Sequence, residues 1–248
     1  MATMLFYQNP TPLDKKKHIN LKLNRKVGYG FADKINSVPL AGFEFFEASR
    51  SSPVFFVKNA DGNFVSVALI SLRKTGHDMG ENWENTYVPV YVRRYPFLMS
   101  NDGLVLIDED AGHLGETDGE ALFADQEGEA SDLLKEVIGF LKTAEAGYTA
   151  TEQFCTALKE KDMLVSFDRQ LRVDGAGINL NDLYVIDEKK LAESLSDTEI
   201  VDWYKKGWIA WSYAQIHSVG SIHHVVKRAK DAGNPVIDPQ EPAPAAAE

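Results

Sequence analysis

Apolar positions recur along this chain with two periods, and the switch between them separates a β-rich first half from a helix-rich second half. Between Ser52 and Leu72 two strand-sized apolar runs, Pro53 to Val57 and Phe64 to Ile70, flank Asp61-Gly62. That dipeptide supplies the positive φ values of a tight turn, so the region predicts a β-hairpin. A second pair is predicted along Tyr95 to Met99 and Leu104 to Ile107, turning at Asn101-Asp102-Gly103. Loops this short make both pairs antiparallel. After Ser131, a candidate cap, Leu133, Leu134, Val137, Ile138 and Leu141 fall at spacings of three and four, the stripe of an amphipathic helix. A second helix is expected from Thr149 or Thr151 to Lys161. Short strands follow at Leu164 to Val173 and Leu183 to Ile186, then a helix through Leu195 capped by Asp187. Ser196-Asp197-Thr198-Glu199 opens another helix, and Trp208 to Arg228 forms one long apolar-faced helix.

With neither a repeat nor a linker between the halves, the pattern predicts an α+β fold. Antiparallel β-hairpins of the N-terminal half would pack with a helix-rich C-terminal half in a single domain over residues 1–232. The Pro- and Ala-rich residues 233–248 are expected to be a disordered tail. A chain of 248 residues, 44% hydrophobic and 25% charged, has core enough to need neither metal nor disulfide. Cys155 is the single cysteine and shares a helical stripe with Phe154 and Leu158, so it reads as a packed small hydrophobe rather than a nucleophile. The first residues hold too short an apolar run for a signal peptide. No stretch reaches the roughly 18 apolar residues of a membrane helix. The expectation is a soluble, cytoplasmic protein with no membrane span.

The charge is unevenly placed. Asp102, Asp108, Glu109, Asp110, Glu116, Asp118, Glu120, Asp125, Glu127, Glu129 and Asp132 lie between Arg94 and Lys135 with no Lys or Arg among them, and they equal the net charge of −11. Asp14 to Lys26 is basic through Lys15, Lys16, Lys17, Lys22, Arg25 and Lys26, which predicts a molecular dipole. Net repulsion from phosphates makes nucleic acid a poor partner.

The large catalytic classes leave no signature. Gly28-Tyr29-Gly30 lacks the third glycine and the helix of a dinucleotide site and reads as a turn. Walker loop, Gly-x-Ser-x-Gly elbow and His-Glu-x-x-His helix are all missing from the sequence. The histidines are His18, His77, His113, His217, His223 and His224; His217 and His224 could share a helix face, whereas His223 and His224 would point about 100° apart. Asp108-Glu109-Asp110 and Glu116 to Glu129 offer oxygen ligands without the spacing of a calcium loop. His77-Asp78, or His113 with Glu116, lacks the close His-x-Asp arrangement of an iron oxygenase. No cofactor and no metal ligand set is therefore assigned. A metal-dependent enzyme, or the companion subunit of a modifying enzyme, using these His and acidic-loop residues is the alternative to a non-enzymatic role.

Trp83 to Phe97 is the most distinctive stretch, with five aromatics, two adjacent arginines and two prolines. Rigid aromatic area beside planar guanidinium groups is the chemistry of binding hot spots. Trp83, Tyr87, Tyr91, Arg93, Arg94 and Tyr95 are therefore the candidate ligand-binding residues, with a protein or peptide as partner. The competing reading is an internal anchor, with one arginine bridging to the acidic loop and the aromatics filling the core.

The chain resembles the SapC family of bacterial proteins. The resemblance runs through Val38-Pro39-Leu40, Glu44, Pro53-Val54-Phe55-Phe56, Trp83, Tyr87-Val88-Pro89, Arg93-Arg94-Tyr95-Pro96-Phe97, Ile107-Asp108-Glu109 and Leu122-Phe123. It continues through Phe154, Leu158, Leu164, Tyr184 to Leu191 and Gly207 to Ser218, and Arg-Arg-Tyr-Pro-Phe is its most specific part. Gly76 to Gly80 departs from the family's apolar Asn-Leu-Phe pattern. The family takes its name from a protein of a bacterial crystalline surface layer. The resemblance implies an accessory or binding role in assembly, export or recognition of a cell-surface protein, and it brings no catalytic residues with it.

Overall fold

The structure is a computed structural model that describes residues 4–237 except 85, 169, 174 and 175; for 170–173 and 176–179 it describes the backbone alone. In chain order come strands β1 (Pro10–Pro12), β2 (Lys22–Leu23) and β3 (Ser37–Pro39), helix α1 (Phe45–Ser49), strands β4 (Val54–Lys58) and β5 (Phe64–Leu69), and the one-turn helix α2 (Val90–Arg93). Strands β6 (Phe97–Met99), β7 (Val105–Asp108), β8 (Leu114–Gly115) and β9 (Glu120–Ala121) precede the long helix α3 (Asp132–Glu160). The second half adds β10 (Leu164–Ser166), β11 (Gln170–Val173), β12 (Ala176–Asn179) and β13 (Tyr184–Ile186), then α4 (Glu188–Glu193), α5 (Asp197–Lys205), α6 (Trp208–Ser218) and α7 (Ile222–Asp231). The fold is α+β with antiparallel sheets, as the periods predict.

The first hairpin is the centre of the main sheet, whose order is β10-β13-β4-β5-β3. Its register pairs Val54 with Ala68 and Lys58 with Phe64. That pairing leaves the five residues from Asn59 to Asn63 as the loop, closed by the Asn59 N–H on the Asn63 carbonyl at 2.8 Å. The two-residue turn expected at Asp61-Gly62 is thus longer, and only Gly62 takes a positive φ, 74°. The Asn59 side chain accepts from the N–H groups of Asp61 and Asn63, an Asx-type closure that selects the wider loop. Alternate residues serve opposite faces: Val54, Phe56 and Ala68 join the main core, while Phe55, Val67 and Leu69 pack with Phe167 behind it. Burial on both faces explains why these strands read as continuous apolar runs.

The sheet joins the two halves of the sequence, because β13 adds to β4 through Tyr184 opposite Phe56. Two residues on, Ile186 would oppose Val54, but the buried Gln215 side chain stands between them. Its Oε1 accepts the Ile186 N–H at 3.0 Å and its Nε2 donates to the Val54 carbonyl at 2.9 Å. Ser218 Oγ accepts the Val54 N–H at 2.9 Å. Helix α6 therefore satisfies strand backbone where the strands part. After it a 3-10 turn, Val219–Ser221, redirects the chain into α7, which buries Val225 and Ala229. The single helix expected over Trp208 to Arg228 is two helices, parted by this 3-10 turn.

Two helices predicted near Asp132 to Leu141 and Thr151 to Lys161 are one. Helix α3, 29 residues and about 43 Å at 1.5 Å per residue, is capped by Ser131 Oγ on the Leu134 N–H. Its first half buries Leu133, Leu134 and Leu141 against Phe97, Ile107 and Leu122, and its second half buries Phe154, Cys155 and Leu158 in the main core. The apolar stripe thins to Ala144 and Gly147 between them because the turn Gly42–Glu44 comes close there. A Cβ on Gly147 would stand 2.3 Å from the Phe43 ring. Thr151 Oγ1 accepts the Gly42 N–H at 2.7 Å.

Residues 233–237, counted with the tail by composition, are tied to the body: Asn234 donates to Asp78 at 2.7 Å and Val236 is buried against Ala229. Residues 238–248 lie outside the described residues. Among the described residues no helix is long and apolar enough to cross a membrane.

Candidate binding site

Pro89 sets the start of α2 by fixing φ at −58°, and the chain then makes a single helical turn. So short a helix cannot hold itself. Glu44, 1% exposed, holds it: Oε1 accepts the Val90 N–H at 2.7 Å and the Tyr87 hydroxyl at 2.9 Å, and Oε2 accepts the Ala41 N–H at 2.8 Å. Burial raises the Glu44 carboxyl above its ordinary pKa in spite of these three donors. Burial and the Glu44 charge together push the Tyr87 hydroxyl up to about 12.

Successive helical residues diverge by about 100°, so the two adjacent arginines take opposite directions. Arg93 is exposed, and its charge lies across the rings of Tyr87 at 5.6 Å and Phe140 at 5.5 Å. Its guanidinium donates to the Val88 carbonyl at 3.0 Å and the Tyr87 hydroxyl at 3.1 Å. Among the described residues no carboxylate comes within ion-pair distance of it. Arg94, 3% exposed, turns inward onto the faces of Tyr91 at 4.3 Å, Tyr148 at 5.7 Å and Tyr7 at 5.9 Å. It donates to Glu145 at 3.2 Å. The acid meeting this arginine comes from α3, not from the acidic loop.

The other candidates sit inside. Trp83 is buried with φ at 51° and its ring edge-on to His77 at 5.3 Å. Tyr91 is buried and its hydroxyl accepts the Leu5 N–H at 3.1 Å. Tyr95, half-buried, stacks on Phe31 at 4.1 Å and donates to Asp108 at 3.1 Å. The peptide bond from Tyr95 to Pro96 is cis. The helical turn thus splits the candidates: Arg93 and part of Tyr87 face solvent, whereas Tyr91 and Arg94 are interior, and Trp83 is interior against His77 and Tyr29.

The acidic loop and the basic leading segment lie against each other, so the predicted dipole is folded shut. Strand β2 stands between β8 and β9. Glu109 receives Lys17 at 2.5 Å, Thr11 at 2.7 Å and His18 at 3.0 Å, and these donors hold its carboxyl down to about 2. Arg25 meets Glu136 at 2.9 Å and Glu120 at 3.8 Å. Asp108, offered by the sequence as a cation ligand, is 0% exposed and binds backbone: Oδ2 accepts the Gln8 N–H and Oδ1 the Asn9 N–H, both at 2.9 Å. Asp78 pairs with Arg73 at 2.9 Å, and His77 Nδ1 accepts the Met79 N–H at 3.1 Å. The His223 and His224 rings are 3.9 Å apart rather than diverging. Among the described residues no three His, Cys, Asp or Glu side chains converge as a metal site would require. Cys155 is buried, and burial pushes its thiol up to about 12.

Sequence reasoning missed Glu44 and Asp108 as organisers of this site. Each stands beside a short structural turn, and nothing in a one-dimensional pattern marks an acid whose partners are backbone N–H groups 46 and 100 residues away. The family model described as SapC matches residues 13–225. No curated protein and no solved structure matches the chain.

Proposed function

Because the chain belongs to the SapC family, with most of its length matched, we propose that it is a non-enzymatic binding or accessory protein. Its task in this reading is cytoplasmic: assisting the assembly, export or recognition of a cell-surface protein by holding a protein or peptide segment. The observation that carries the reading is Arg93. A guanidinium bonded to Tyr87 and Val88, lying over two rings and without a carboxylate at ion-pair distance among the described residues, is a preorganised cation at the surface. Its side-chain entropy is already spent, which favours capture of a carboxylate or an aromatic face from a partner. A single domain over residues 1–232 is part of the same proposal.

The test is comparative capture from the native host using the unaltered chain, Arg93→Ala and Arg94→Ala, with melting temperature recorded for each. Arg93→Ala is expected to melt within about 2 °C of the parent, as a surface substitution does, and to lose at least tenfold in recovery of a specific partner. Equal recovery by the parent and Arg93→Ala would reject the reading.

A further inference from the structure

The segment Met4 to Asn9 forms no regular strand, and three of its N–H groups are bonded to side chains of the surface beneath it, while the Asn9 carbonyl accepts the Glu109 N–H. The Leu5 N–H meets the Tyr91 hydroxyl, and the successive N–H groups of Gln8 and Asn9 meet the two oxygens of Asp108. A carboxylate reading two consecutive amides is the way a site holds a peptide whose sequence is free at those positions. The side chains of Gln8 and Asn9 accordingly point out, as do those of Met4 and Leu5. Only Phe6 and Tyr7 plug in. Phe6 lies edge-on to Phe31 at 5.1 Å and Tyr91 at 5.3 Å, and Tyr7 lies against Tyr95 at 5.3 Å and donates to the Phe97 carbonyl at 2.8 Å.

The surface beneath also holds contacts of its own. Phe31 and Tyr95 stack on each other, and Arg94 is held by Glu145 and Tyr148. Asp108 is fully buried, accepts the Tyr95 hydroxyl from the cradle itself at 3.1 Å, and has no cation at ion-pair distance among the described residues. Phe31, Tyr91, Arg94, Tyr95 and Asp108 all fall inside the family-matched residues 13–225, and Met4 to Asn9 falls before them. The cradle thus lies within the matched residues and the segment that covers it outside them.

We propose that residues 4–9 are an intramolecular occupant of a peptide cradle, and that the cradle takes in trans an extended peptide bearing two successive aromatic side chains followed by two residues of any type. This rests on the binding reading above only in taking the chain to hold a peptide, and it adds a surface distinct from Arg93. The strap then regulates the site by competition, since the same acceptors on Tyr91, Phe97 and Asp108 cannot be filled twice.

The probe is a fluorescently labelled peptide of residues 4–9, Met-Leu-Phe-Tyr-Gln-Asn, titrated by anisotropy into the full chain and into full-length Phe6→Ala/Tyr7→Ala, which loosens the strap in cis. The variant is expected to bind the peptide at least tenfold more tightly than the parent, and a peptide with both aromatics changed to Ala is expected to lose at least tenfold. A folded variant that ignores the peptide overturns the proposal. So does a concentration-dependent dimer of the parent with no peptide binding, which would mean strap exchange between copies. Should the variant not fold, hydrogen exchange on the parent decides. Amides of Leu5, Gln8 and Asn9 are expected to exchange at least tenfold faster than those of Val65 to Leu69, and equal protection overturns the proposal. Arg93 lies outside the cradle, so failure here with Arg93-dependent capture intact removes the strap mechanism alone, whereas loss of both removes the binding reading.

Discussion

Replacing Glu44 tests whether a buried carboxylate, rather than the aromatic residues around it, positions the candidate site. Glu44→Ala would orphan the N–H groups of Ala41 and Val90, both buried, and release the Tyr87 hydroxyl that in turn holds Arg93. Each buried unsatisfied donor costs about 1–3 kcal/mol, and the half-buried Tyr87 adds less because solvent reaches it, so the total is about 3–6 kcal/mol. For a chain of this size that corresponds to a melting temperature lower by about 10–20 °C. Glu44→Gln keeps one acceptor for Val90 and Tyr87 but turns an NH2 group toward the Ala41 N–H, for a cost of about 1–3 kcal/mol. The pH dependence separates charge from geometry. The folded-state pKa is raised by burial, so the native state binds the proton more tightly than the unfolded chain. The Glu44 contribution is therefore fully present below the ordinary glutamate value of 4.5 and is lost as pH rises through the folded pKa. The stability gap between parent and Glu44→Gln should narrow over that rise. Urea unfolding followed by near-ultraviolet circular dichroism, from pH 4 to pH 8, measures both quantities. A cost below about 1 kcal/mol for Glu44→Ala, or a gap that widens with pH, would refute the reasoning.

Two further outcomes follow from close approaches and burial. A Cβ on Gly42 would stand 2.3 Å from the Trp211 ring, which is wedged beside Phe45 and Phe154, so Gly42→Ala should cost about 2 kcal/mol or more in thermal unfolding. Gly147→Ala meets Phe43, which is 44% exposed and can swing outward, while alanine improves the helix; its cost should stay within about 1 kcal/mol, and equal costs at the two glycines would contradict this account. Cys155 should resist a soluble thiol reagent at pH 8 in the native protein and react fully in denaturant; rapid native labelling would show that its burial is wrong.

Strand and helix periods, caps and class were legible along the chain. The hairpin from Val54 to Leu69, the pair β6 and β7, the caps Ser131, Asp187 and Ser196 and the packed Cys155 all rest on interactions between residues close in sequence or on simple burial. The family likewise followed from local motifs such as Arg93 to Phe97. What only the tertiary structure decided depends on partners far apart. Helix α3 runs unbroken because a turn a hundred residues earlier accepts its small residues, and Gln215 and Ser218 of α6 serve the backbone of β4 and β13, partners that lie far off in sequence. The two adjacent arginines are identical in sequence terms, yet one turn of helix sends Arg93 into solvent and Arg94 among three tyrosines. Likewise the acidic run and the basic segment read as the two ends of a dipole, and only the fold lays Lys17, His18 and Arg25 upon the acids. Direction and partnership are properties of three dimensions, and a linear pattern records only which side chains are present to adopt them.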